Sequence, residues 1–134
     1  IANDDQKSLP ESIAMIPENI RWKMINAISD KNVEAAKSIL EEGIEKKLAN
    51  DWRLTHNITF RPEAKTCCAV GSLAEGNEKH SLNDLSKQFS TSANVFNSFR
   101  DIAVGFHCWR PNDKVNPNEW IALGQQIAVK YGNK

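Results

Sequence analysis

The chain has 134 residues, enough for one domain whose hydrophobic core needs no disulfide or metal to hold it. Hydrophobic residues make up 40% and charged residues 25%, a composition that excludes global disorder. Seventeen basic residues balance seventeen acidic ones, so the chain lacks the basic excess that drives binding to nucleic-acid phosphates.

No apolar run approaches the ~20 residues of a bilayer span. The acidic, polar start Ile1-Ala2-Asn3-Asp4-Asp5 does not read as a signal peptide. The three cysteines, two of them adjacent, suit reduced thiols better than a disulfide framework. A cytoplasmic protein is expected.

Residues 1–11 read as a flexible N-terminal tail and 12–134 as a single helical domain. Ile16, Ile20, Met24, Ala27 and Ile28 recur at helical spacing, with Pro17 near the helix start. Asp30 is placed to cap a second helix, whose apolar face Val33, Ala36, Ile39 and Leu40 continues through Ile44 to about Leu48. From Asn50 to Lys65 the helical period is lost. A short strand or hairpin around 53–60, or an ordered loop, is predicted there, ended by Pro62.

Thr66 reads as the N-cap of a short helix from Cys67 to Ala74, followed by Gly76. Ser81 caps a segment from Leu82 to Phe89. Ser92 caps a helix that runs through Val104 and stops at Gly105. Arg110-Pro111-Asn112-Asp113 has the composition of a turn. In Asn116-Pro117-Asn118-Glu119, Asn116 is expected to cap a final helix carrying Trp120, Leu123, Ile127 and Tyr131 on one stripe, bordered by Gly124, which permits close approach. The fold class is therefore mainly α, a compact bundle of about five to six helices.

The sharpest chemical feature is Cys67-Cys68. A thiol at a helix N-terminus has its pKa lowered by the dipole, and cysteine nucleophiles use that setting with a histidine base. His80, His107 and His56 are candidate bases, with Asn112 or Asp113 to orient them. The competing reading makes both sulfurs small buried residues, and it prevails because no histidine stands at a diagnostic spacing. Cys67, Cys68, His107 and Cys108 could supply zinc ligands, but adjacent ligands rarely converge on one ion, so neither a metal nor a cofactor is expected.

A helix-turn-helix over 82–100 would use Leu85, Phe89, Phe96 and Phe99 as its core and present Asn94, Asn97 and Arg100 to DNA. Ser90 stands where such turns favour glycine, so an ordinary helical hairpin is the simpler expectation. Trp22 and Ile25 lie off the main apolar face of the first helix and could form a contact face for a partner.

Cys68-Ala69-Val70-Gly71-Ser72-Leu73 resembles the Cys-Ala-x-Gly-Ala-Leu helix start of a family of small uncharacterised bacterial and phage proteins. That family continues to a Trp-Asn-Asp turn and a final amphipathic helix. Here Arg110-Pro111 intervenes between Trp109 and Asn112-Asp113, and Ser72 replaces alanine. The likeness spans roughly Cys67 to Ala128 and implies a bacterial or phage origin, with no activity attached.

The leading expectation is a non-enzymatic accessory or regulatory protein that binds a macromolecule, most simply another protein or a second copy of itself. The alternatives are an enzyme with Cys67 or Cys68 as nucleophile and a helix-turn-helix regulator.

Overall fold

The computed structural model describes residues 16–107 and 118–132. The expected tail, the turn at 110–113 with Asp113, and Asn116 lie outside the described residues.

The chain is mainly helical, with a small three-stranded sheet. Helix α1 spans Glu18–Ser29 and buries Met24, Ile25, Ala27 and Ile28, with Pro17 just before it. The chain then turns through Lys31, whose φ of 56° is left-handed. That extra residue moves the cap of α2, Val33–Ala49, from the expected Asp30 to Asn32, whose side chain accepts from the Ala35 amide. Helix α2 runs through Gly43 and buries Ala36, Leu40 and Ile44.

The irregular stretch forms β1 (Arg53–Leu54) and β2 (Phe60–Arg61), but these do not pair as a hairpin. Both flank a third strand, β3 (Thr66–Cys67), in the order β1-β3-β2, with β1 parallel and β2 antiparallel to it. Thr66 is therefore a strand residue and not the expected N-cap. The helix expected from Cys67 to Ala74 shrinks to a 3-10 turn at Val70–Leu73.

Helix α3 (Leu82–Ser86) opens with a reciprocal Ser81/Asp84 capping box and continues as a 3-10 turn through Phe89. Helix α4 (Ala93–His107) starts at Ser92, whose hydroxyl accepts from the Val95 amide at 3.1 Å. It does not stop at Gly105. Helix α5 (Glu119–Ile127) is capped by Asn118 rather than Asn116, because the Asn118 side chain accepts from both the Trp120 and Ile121 amides. The same side chain donates to Asp101 at 2.8 Å and ties the start of α5 to α4.

Glycine lets α4 and α5 cross with their backbones nearly touching. A Cβ on Gly105 would lie 2.1 Å from the Ile121 carbonyl oxygen, and one on Gly124 would lie 2.1 Å from that of Ile102. Trp120, Leu123 and Ile127 seal this crossing in one core with Phe99, Ile102 and Phe106. That core continues through Met24, Leu40 and Ile44 to Phe60 and both described cysteines. Among the described residues no helix is long and apolar enough to cross a membrane.

Candidate functional site

Helix α2 ends beside the sheet, and the turn after it builds a row of rings. Asp51 adopts a φ of 69°, and the Trp52 amide donates back to the Lys47 carbonyl at 2.9 Å. The fold-back lays the Trp52 ring on Phe60, with centroids 5.3 Å apart and an interplanar angle of 21°. Phe60 in turn stacks on His80 at 6.1 Å. The Lys47 ammonium lies 5.1 Å from the Trp52 centroid and 6.0 Å from that of Phe60, within cation–π reach of both.

Lys47 Nζ donates to the Ala74 carbonyl at 2.9 Å, which engages one of its three N–H groups. Among the described residues it makes no ion pair. Burial pulls its pKa below the ordinary 10.5, and the nearby Cys67 and Glu75 oppose that pull only in part. A half-buried cation is costly unless hydrogen bonds and nearby charges offset its lost hydration.

The ammonium borders a cleft of about 220 Å³ between α1, α2 and the 70–73 turn. Ile20, Ile39, Leu73 and Trp52 give it apolar walls, while Glu42, Lys46 and Asn50 are among its polar residues. Gly43 keeps the cleft wall thin: a Cβ there would meet Leu73 Cδ2 at 2.9 Å and Ser72 Oγ at 3.0 Å. Sequence reading missed this cleft. The residue signal was Lys46-Lys47 followed by Trp52, but basic residues at a helix end already have a reason to be there in the dipole.

The cysteines are placed otherwise than a nucleophile requires. Cys67 and Cys68 are both fully buried. Burial pushes the Cys67 thiol up to about 12, with Cys68 adding to the effect and Lys47 opposing it. Burial likewise raises Cys68 to about 11, with the nearby Gly71 and Val70 amides and the Thr59 side chain opposing it. Gly71 lets the turn approach, since a Cβ there would lie 1.7 Å from the Thr59 carbonyl oxygen. The buried Cys68–Leu73 motif is thus accounted for by packing.

His80 does not form a dyad with Cys67. Phe60 faces Cys67 across one strand pair and His80 across the next, so its ring stands between thiol and imidazole. Two strand spacings put the His80 backbone roughly 10 Å from that of Cys67. His80 pairs instead with Asp84, Nδ1 to Oδ2 at 3.7 Å. His56 sits at the end of α4, where Nδ1–H donates to the Phe106 carbonyl at 2.8 Å and the ring stacks on Phe106. His107 is there too, held below its ordinary pKa by burial and then by His56. No group of three or more His, Cys, Asp or Glu side chains among the described residues could share a metal ion.

The expected DNA-reading hairpin has a first helix of only five residues. Phe89 and Phe99 stack within it at 4.0 Å. Asn94 and Asn97 are exposed, but Arg100 is engaged with Asn83 at 3.4 Å and lies over the Phe96 ring. The contact pair on α1 is divided. Trp22 is 38% exposed, whereas Ile25 is 5% exposed and belongs to the core, because α1 packs more of its circumference than its apolar periodicity indicated. No protein-family model, no curated protein and no solved structure matches the chain.

Proposed function

We propose that this chain is a non-enzymatic binding protein and that its partner protein seats an acidic anchor in the Lys47–Trp52 cleft. The observation that carries the reading is the half-buried Lys47 ammonium, which has two N–H groups to spare and no carboxylate partner among the described residues. A cleft of about 220 Å³ is smaller than the roughly 300–1,000 Å³ typical of cofactor and drug sites. It suits one or two side chains, the scale of an interface hot spot. An aspartate, a glutamate or a chain-terminal carboxylate would pair with Lys47 while a neighbouring apolar group covers Ile39 and Leu73. The mixed charges of Glu42, Lys46 and Glu75 would then fix the register.

This reading keeps protein binding and moves its centre away from Trp22, since a single exposed aromatic is ordinary on a protein surface. The cysteine-enzyme alternative gains no support from two buried thiols of raised pKa.

Peptide selection tests the proposal. A random dodecapeptide library is panned on the immobilised chain, and the selected peptides are titrated against the parent, Lys47→Met and Lys46→Glu. Enriched peptides should share a carboxylate beside an aromatic or branched residue, and Lys47→Met should weaken them at least about tenfold. Peptides that bind Lys47→Met as tightly as the parent would refute the assignment.

A further inference from the structure

At the outer edge of β2 lies a second concavity, of about 390 Å³, separate from the Lys47 cleft. Arg61, Lys79 and His80 line it together with Asn57, Ser81 and Asp84. We propose that it is a binding site for a phosphate monoester, the organic part of a small phosphorylated molecule included.

Four observations support this ligand class. Arg61 Nε is shut off from solvent and has no hydrogen-bond partner. Its nearest carboxylate is Glu63 at 3.9 Å, a side chain that is 65% exposed and too distant for a hydrogen bond. The Arg61 side chain as a whole is 42% exposed, and a guanidinium can meet two phosphate oxygens with parallel N–H donors. Second, Lys79 contributes another cation, and the Ser81 hydroxyl is free to donate because its oxygen accepts from the Asp84 amide.

Third, the one carboxylate lining the concavity is already engaged. Asp84 Oδ2 accepts from the Ser81 amide at 3.1 Å and faces His80 Nδ1 at 3.7 Å. Against Arg61 and Lys79 this one carboxylate leaves the lining positive, which suits an anion. Fourth, the space exceeds what phosphate alone would fill, and Ile58, Leu82 and Phe60 provide apolar wall for an attached organic group. His80, with a side chain only 6% exposed, is held by its stack on Phe60 and its bridge to that strand, so the site is rigid on this side.

The test is a ¹⁵N–¹H NMR titration at constant ionic strength with phenyl phosphate, inorganic phosphate and phenol as separate probes. Phenyl phosphate and inorganic phosphate should give saturable shifts confined to 57–61 and 79–84, with phenyl phosphate the tighter, and phenol should give none. Arg61→Gln and Lys79→Gln should each weaken phenyl phosphate about tenfold or more, while Arg53→Gln, on β1, leaves it unchanged. Both substituted side chains are at the surface, and unchanged spectra away from the site establish that each variant is folded. The proposal is overturned by shifts that stay linear to roughly 20 mM probe, a regime of no specific affinity. It is equally overturned by phenyl phosphate binding no tighter than inorganic phosphate, by phenol matching phenyl phosphate, or by undiminished affinity in Arg61→Gln.

Discussion

Gly124→Ala tests the crossing of α4 and α5, the most extensive helix–helix contact in the fold. The added methyl would lie 2.1 Å from the Ile102 oxygen and 2.8 Å from the Phe106 nitrogen, both backbone atoms that cannot rotate away. An ordinary C···O approach is about 3.3 Å, so the helices must part by about 1.2 Å. Separation on that scale loosens Trp120, Leu123 and Ile127 against Ile102 and Phe106. Overpacking of this kind costs about 3 kcal/mol at the upper end of its range. Alanine returns about 1 kcal/mol in helix propensity. The net expectation is a loss of about 2 kcal/mol, or roughly 7 °C in Tm for a domain of this size.

Urea unfolding followed by circular dichroism measures the loss, and an unchanged m-value establishes that only stability moved. Gly105→Ala should behave alike, because its methyl would meet the Ile121 oxygen at 2.1 Å. The double variant should cost about 1 kcal/mol less than the sum, since parting the helices for one methyl makes room for the other. If Gly124→Ala matches or exceeds the parent in stability, propensity has won and the helices do not cross this closely.

Three further outcomes follow from the same structure. Iodoacetamide at pH 8, read by mass spectrometry at each site, should leave Cys67 and Cys68 unmodified in the folded chain, because thiols raised to about 12 and about 11 are almost wholly protonated there; alkylation of either within minutes would contradict their burial. His107 is held below its ordinary 6.5, so an unfolded chain takes up a proton that the folded one refuses and stability falls as the pH drops below 6.5. His107→Gln should flatten that decline between pH 7 and 5 in urea titrations, and an unaltered slope would exclude this histidine as its source. Ser81→Ala should cost about 1 kcal/mol and Asn118→Ala about 1.5 kcal/mol by thermal unfolding, since Asn118 caps two amides and also reaches Asp101; changes within a few tenths would mean that water replaces both caps.

What was legible in the sequence was local. The Ser81 and Ser92 caps, the apolar face of α2 and the stripe of α5 are set within a few residues, and the structure has each of them. The misplacements share a different cause. Thr66 is as good a strand residue as an N-cap, and only its pairing with Arg53 and Arg61 decides between the two. Gly105 has the letter of a helix stop, yet its reason is the Ile121 carbonyl on another helix. Asn116 and Asn118 offer the same cap, and the tether to Asp101 favours the second. Lys47 read as a helix-end cation because Trp52, Phe60 and Ala74 meet it only after the sheet has formed.

Burial also explains why the sulfurs, the most conspicuous residues in the sequence, are out of reach of solvent. Cys67 on β3 and Cys68 just after it point into the hydrophobic core, and that burial keeps both thiols protonated. Trp52 leads into β1 beside Lys47, and Arg61 ends β2 beside His80 and Lys79. The proposed carboxylate and phosphate sites lie on opposite flanks of one three-stranded ribbon and should be separable. Lys47→Met should leave phenyl phosphate affinity intact, and Arg61→Gln should leave peptide affinity intact. Loss of both affinities in either variant would mean that the ribbon acts as one site.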